Sequence, residues 1–224
     1  MKEKIRVIIM DDHQSIVDGY LYRLSMAPEI EVLATLSYSE NLEPTLQETS
    51  ADVLILDVQV PISPANLSPY PILHTIPKLL QLYPYLEIIV ISMFDDRALV
   101  RAVVEAGASG YILKNDSQVI QQLGKAVLSV ANGGVCFSDK VLKALVIKQE
   151  EPFTARQLEA LSLCAAYPNS KTADLARQMK IANSTLRNLL STVYLKLGVQ
   201  TRAAAIAKAR QMGILTPNPT VPQP

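Results

Sequence analysis

Four short apolar runs each end in a polar residue, and that pattern constrains the fold more than any other feature of the chain. IRVIIM precedes Asp11, VLIL precedes Asp57, IIVI precedes Ser92 and YIL precedes Lys114. The runs are nearly continuous in Val, Ile and Leu, as strands buried on both faces of a parallel sheet are. Residues 14–26, 97–106 and 117–131 between them carry apolar positions at helical spacing, and Gly107 and Gly133 stand as stops after the last two. Strand alternating with helix predicts a doubly wound α/β fold. The expected five-stranded parallel sheet has strands at 5–10, 31–36, 53–57, 87–91 and 110–113.

In such a sheet the carboxyl ends of the strands open on one edge, where ligands bind. Asp11, Asp12, Asp57, Ser92 and Lys114 would meet there: three carboxylates, a hydroxyl and an ammonium. That set suits a divalent cation and a phosphoryl group. Taken singly, the aspartates could instead be helix caps at strand ends, and Ser92 and Lys114 are more often surface residues than ligands. Their joint occurrence at the strand ends favours a site.

Charge divides the chain. From Pro152 onward nine Lys or Arg stand against two acids; before it, twelve stand against nineteen. A basic half beside an acidic half predicts two domains with different partners, the basic one suited to a polyanion. A short helix over 138–147 and the polar KQEEP segment mark the boundary. The expected division is 1–133, a linker over 134–151, a second domain over 152–215 and a Pro-rich disordered tail over 216–224. No membrane span is expected, because no apolar stretch reaches roughly 18 residues. Cys136 and Cys164 lie outside any CxxC spacing and are expected to be reduced, in the cytoplasm.

The basic half reads as four helices. Thr154 caps the first over 155–166; Thr172 caps a second to about Met179; a third runs over about 183–197 to Gly198; Thr201 caps the fourth. The third has Leu186, Leu189, Leu190, Val193 and Leu197 as a core stripe. Its other face carries Ser184, Arg187, Asn188, Ser191, Thr192 and Lys196. A short helix, a turn and an amphipathic helix with a cationic, amide-bearing face describe a helix-turn-helix.

MDDH, LDV-x-x-P, the Ser92-Met93 pair and EAGASGYILK resemble the receiver domain of bacterial two-component response regulators. FTARQLEAL and STLRNLLSTVYLKLGVQTRAAAIAKA resemble the LuxR-type helix-turn-helix. In this order the chain resembles the NarL/FixJ subfamily over residues 4–215. The resemblance implies a flavodoxin-like receiver that takes a phosphoryl group on Asp57 from a sensor histidine kinase. It implies Mg2+ held by Asp11, Asp12, Asp57 and the Gln59 carbonyl, an oxygen set suited to that ion. Lys114 and Ser92 would contact the phosphoryl oxygens, and Tyr111 would move inward with Ser92. The output would be transcription control through duplex DNA, with no enzymatic activity beyond the receiver's own phosphorylation and dephosphorylation.

For DNA, Thr185, Arg187 and Asn188 are the candidates for base edges or nearby phosphates, and Lys171, Thr172, Ser184, Ser191 and Lys196 for backbone phosphates. Ala203, Ala207 and Arg210 would line a homodimer axis. The chain departs from the family between Asp57 and Glu87. VQVPISPANLSPYPILHTI carries prolines at 61, 64, 69 and 71, which predict an irregular or polyproline-like loop lying partly over Asp57. That departure keeps a second reading open, a phosphorylation-independent regulator whose receiver is a protein-interaction module. A phosphatase using Asp57 as nucleophile expects an acid two residues later, where this chain has Gln59.

Overall fold

The computed structural model describes residues 4–146 and 153–215. The elements, in chain order, begin with β1 (Ile5–Met10), α1 (Gln14–Ser25), β2 (Ile30–Leu36), a 3-10 turn (Ser39–Asn41), α2 (Leu42–Glu48) and β3 (Val53–Asp57). A hairpin of β4 (Pro61–Ser63) and β5 (Asn66–Pro69) follows, then α3 (Ile72–Leu82), β6 (Glu87–Ser92), α4 (Arg97–Glu105) and β7 (Gly110–Leu113). Next come α5 (Ser117–Gln121), α6 (Leu123–Ala131), β8 (Cys136–Phe137) and α7 (Asp139–Val146). The basic segment forms α8 (Ala155–Ala166), α9 (Thr172–Gln178), α10 (Asn183–Leu197) and α11 (Arg202–Gln211).

The five expected strands are present, in parallel pairing and in the order β2-β1-β3-β6-β7. A two-residue strand, β8, extends the sheet by one through Gly110 and Tyr111. The central strand β3 is buried along its whole length, which explains why its sequence shows no polar alternation. Helices cover both faces. Val17, Tyr20, Leu24, Leu123 and Val127 pack on one face. On the other, Leu42, Leu46, Ile76, Leu79, Leu99 and Val103 belong to an apolar cluster that runs on into the helices of the basic segment.

The expected helix over 117–131 is interrupted at Gln122, which leaves helical geometry between α5 and α6. Two helices, α2 and α3, lie where the apolar pattern predicts none. Pro77 sits inside α3 and removes one backbone donor. Buried Ile72, Leu73, Ile76 and Leu79 hold that helix on the sheet despite it.

The Pro-rich segment is not the irregular loop expected from its prolines. It is an antiparallel hairpin in which Pro61 pairs with Pro69. A two-stranded ribbon needs ladder donors on one side only; Pro61 and Pro69 sit at its outer end and Pro64 in its turn, where a missing N–H is tolerated. Its turn is closed by side chains: Asn66 N donates to Ser63 Oγ at 3.1 Å and Ser68 N to Asn66 Oδ1 at 3.1 Å. The Pro-rich tail read at 216–224 and the end of the linker lie outside the described residues.

In the basic segment Thr154 closes a reciprocal capping box with Gln157, Thr201 caps α11, and Gly198 ends α10 at φ 64°, as read. Thr172 does not cap α9. Lys171 occupies that position without a side-chain hydrogen bond, and Thr172 is the first helical residue.

Candidate phosphoacceptor and nucleic-acid sites

The carboxyl edge of the sheet brings its expected residues together. Asp11 follows β1, Asp57 ends β3, Ser92 ends β6 and Lys114 follows β7. Lys114 Nζ lies 2.8 Å from Asp11 Oδ2 and 2.9 Å from Asp57 Oδ2, bridging two nearly inaccessible carboxylates. Burial raises the Asp57 carboxyl to about 6; the Lys114 charge opposes that rise, and the Asp11 and Asp12 charges add to it. Burial alone would lower the Lys114 ammonium. The Asp57 and Asp11 carboxylates outweigh it and hold the group above its usual range.

Ligand atoms of Asp11, Asp12, His13 and Asp57 all lie within 4.8 Å of one another. Asp12 stays partly open, with its side chain 20 % exposed, and its Oδ1 is 2.9 Å from His13 Nδ1. His13 N donates to Asp11 Oδ1 at 3.0 Å. Asp11 Oδ2 touches the Lys114 ammonium but lacks a well-directed hydrogen bond. Carboxylate oxygens grouped this closely, one of them under-bonded, fit a hard cation. Gln59 stands half-buried in the turn after β3.

Ser92 and Tyr111 are joined to each other. Ser92 is fully buried; its Oγ accepts from Phe94 N at 3.0 Å and hydrogen-bonds Tyr111. Tyr111 is wholly buried, so its ring already faces inward, and its hydroxyl donates to Phe94 O at 2.7 Å. Burial pushes that phenol well above its usual range, with the Ser92 hydrogen bond opposing. The next residues cap α4 through Asp96, whose side chain accepts from Ala98 N and Leu99 N.

On α10 the apolar stripe is inward, with Leu186, Leu190, Val193 and Leu197 buried. Ser184, Thr185, Arg187, Asn188, Ser191 and Lys196 are exposed, and so is Lys171 before α9. Two candidates for phosphate contact are committed inside the fold. Thr172 Oγ1 accepts from Arg202 at 2.9 Å. Lys196 Nζ donates to Gln157 Oε1 at 3.1 Å and stands 5.5 Å from the Phe153 ring centre. Ala203 and Ala207 are exposed on α11, whereas Arg210 is half-buried and its guanidinium is lowered by burial.

The model of the response regulator receiver domain matches residues 7–125, more than half of the chain. The chain belongs to the response regulator receiver family. The transcriptional regulatory protein DegU of Brevibacillus brevis is 27% identical over 95% of this chain and 95% of its own. MctR of Rhizobium johnstonii, also a transcriptional regulatory protein, is 29% identical over 96% of this chain and 97% of its own. Among solved structures, RcsB from Salmonella enterica serovar Typhimurium, bound to promoter rprA with the phosphomimetic BeF3-, superposes with a TM-score of 0.64. It is 21% identical and covers 92% of this chain and 98% of that one, a likeness of fold.

The response regulator has contacts that sequence reasoning missed. His74 Nδ1 lies 2.9 Å from Glu159 Oε1, joining α3 to α8. Glu159 falls within FTARQLEAL, but nothing in that motif names a partner, and 85 positions separate the two residues, so no periodicity points to the pair. Among the described residues no helix is long and apolar enough to cross a membrane.

Proposed function

We propose that this response regulator is phosphorylated on Asp57 by a sensor histidine kinase, and that the phosphorylation controls homodimerisation and binding of duplex DNA by residues 152–215. The observation that carries the reading is Lys114 bridging Asp11 and Asp57 at the carboxyl edge of the sheet. Asp11, Asp12, Asp57 and the Gln59 carbonyl would hold Mg2+. The ion would supply charge neutralisation for a transferring group that is itself highly charged.

A carboxylate oxygen of Asp57 attacks the phosphorus as the bond from phosphorus to the donor nitrogen breaks, and that bonding pair leaves on the histidine. Lys114, held beside the acceptor, pairs with the phosphoryl oxygens as a point charge. Ser92 donates its hydroxyl proton to one of them. Donation turns its Oγ away from Phe94 N and loosens the Ser92–Tyr111 connection, which carries the change to the start of α4. In the basic segment, Arg187 and Asn188 suit base edges, with Thr185 beside them. Lys171, Ser184 and Ser191 suit phosphates; Thr172 reaches them only by leaving Arg202, and Lys196 only by leaving Gln157. Ala203, Ala207 and Arg210 would face a second copy across a two-fold axis.

The test is to measure oligomeric state and duplex affinity before and after incubation with acetyl phosphate and Mg2+. The reading expects dimer formation and tighter binding in the native chain and neither change in Asp57→Asn. An unphosphorylated chain that already binds at full strength would favour the interaction-module reading.

A further inference from the structure

The segment directly after Asp57, Pro-rich from Pro61, does not end in solvent. Val58 and Val60 are fully buried, and the hairpin β4–β5 follows at Pro61. β5 and α3 both pack on α8, the first helix of the basic segment. Asn66 Nδ2 reaches the Ala166 carbonyl at 3.4 Å, at the C-terminal end of α8. His74 meets Glu159 in the middle of that helix.

Glu159 is a poor residue to bury without partners, because an unpaired carboxylate in a low-dielectric site is costly. Here it is 8 % exposed. Burial alone would raise its carboxyl; hydrogen bonds from His74 and Arg156 outweigh that and hold it below the usual range. One of those partners comes from α3 and the other, at 2.7 Å, from α8 itself. The apolar cluster beneath is continuous, with Ile72, Leu73, Ile76 and Leu79 in the same core as Leu158, Leu161 and Leu163. Beside the pair lies a cleft of about 680 Å³ walled by both units, including Tyr70, Pro71, Leu163, Tyr167 and Met179. The polar face of α10 points elsewhere, and its candidate DNA residues remain exposed.

We infer that the Pro61–Pro69 hairpin and α3 form an intramolecular docking surface whose occupant is α8, pinned by His74–Glu159 and by Asn66 on the Ala166 carbonyl. The docking sets the placement of the DNA-binding unit without covering its reading face. It also ties that unit to the strand end that carries Asp57, by a route separate from Ser92 and Tyr111. The contact stands on geometry alone; its part in signalling rests on the phosphorylation reading.

Small-angle scattering of the full chain, without phosphoryl donor, tests the docking. The native chain should scatter as one compact body. His74→Ala with Asn66→Ala should raise the radius of gyration by roughly a tenth, as when one body becomes two tethered ones. Replacing 62–70 by a Gly-Ser turn should raise it at least as much, and Asp57→Asn should leave it unchanged. Circular dichroism shows whether each variant keeps its helices; if the loop replacement loses them, the double variant decides. Unchanged scattering from a folded double variant, or a native chain already as extended as the variants, would overturn the inference. Neither result bears on whether Asp57 accepts phosphate, which mass measurement reports separately.

Discussion

The acidic edge of the sheet and the polar face of α10 are both functional candidates, yet they are built differently. At the edge, residues from four strand ends converge until Lys114 lies within 3 Å of two carboxylates, all nearly inaccessible. On α10 the candidates are spread along an exposed face, and of them Lys196 reaches back into the fold, to Gln157 and the Phe153 ring. The edge is defined by mutual electrostatics, and each member perturbs the others. The α10 face is defined by what it would meet, so its members act almost independently. A change at the edge should therefore be large and non-additive, and one on α10 modest and additive.

Lys114→Met gives the largest expected effect. It leaves Asp57 and Asp11 buried side by side without their cation, so thermal or urea unfolding at pH 7 should show a loss of about 3 kcal/mol or more. If Lys196→Ala costs as much, the contrast between the two regions fails.

Arg187→Ala comes next and reads the other region. If Arg187 contacts a base, discrimination between duplexes of different sequence should fall by about 1 to 3 kcal/mol in a competition assay. Lys196→Ala should instead weaken all duplexes alike and reduce the salt dependence by about one counterion. Equal loss on every duplex from both variants would make Arg187 a phosphate contact.

A smaller effect tests the same idea at the opposite end of the sheet. Asp52 accepts from Arg6 N and from its guanidinium, at 2.8 to 3.1 Å, and both side chains are about one-third exposed. Burial alone would raise the Asp52 carboxyl; the Arg6 hydrogen bonds and charge together outweigh it and hold the group below its ordinary range. Its contribution is present above the unfolded-state value near ~3.9 and lost as pH falls through the folded one. Solvent screening limits it to about 0.5 to 1 kcal/mol, so Asp52→Asn should cost that at pH 7 and progressively less as the carboxylate is protonated in acid. A cost that persists in acid would assign the effect to packing.

The two regions also differ in how far the sequence exposes them. The strands were legible because burial on both faces leaves continuous apolar runs, and the site residues because each ends such a run. Cap chemistry was legible at Thr154, Thr201 and Gly198, where one residue type does one local job. It misled at Thr172, because Arg202, 30 positions away, claims the hydroxyl. The hairpin and α3 were illegible because proline signals exclude regular structure locally, while pairing at a ribbon's ends and burial of Ile76 and Leu79 override them. The His74–Glu159 contact depends on how two units pack, and no local pattern encodes it.

The most direct test of the account is the intact mass of the chain after incubation with acetyl phosphate and Mg2+. The account predicts one added phosphoryl group in the native protein and none in Asp57→Asn. An unmodified native chain, or an adduct that survives the substitution, would contradict it.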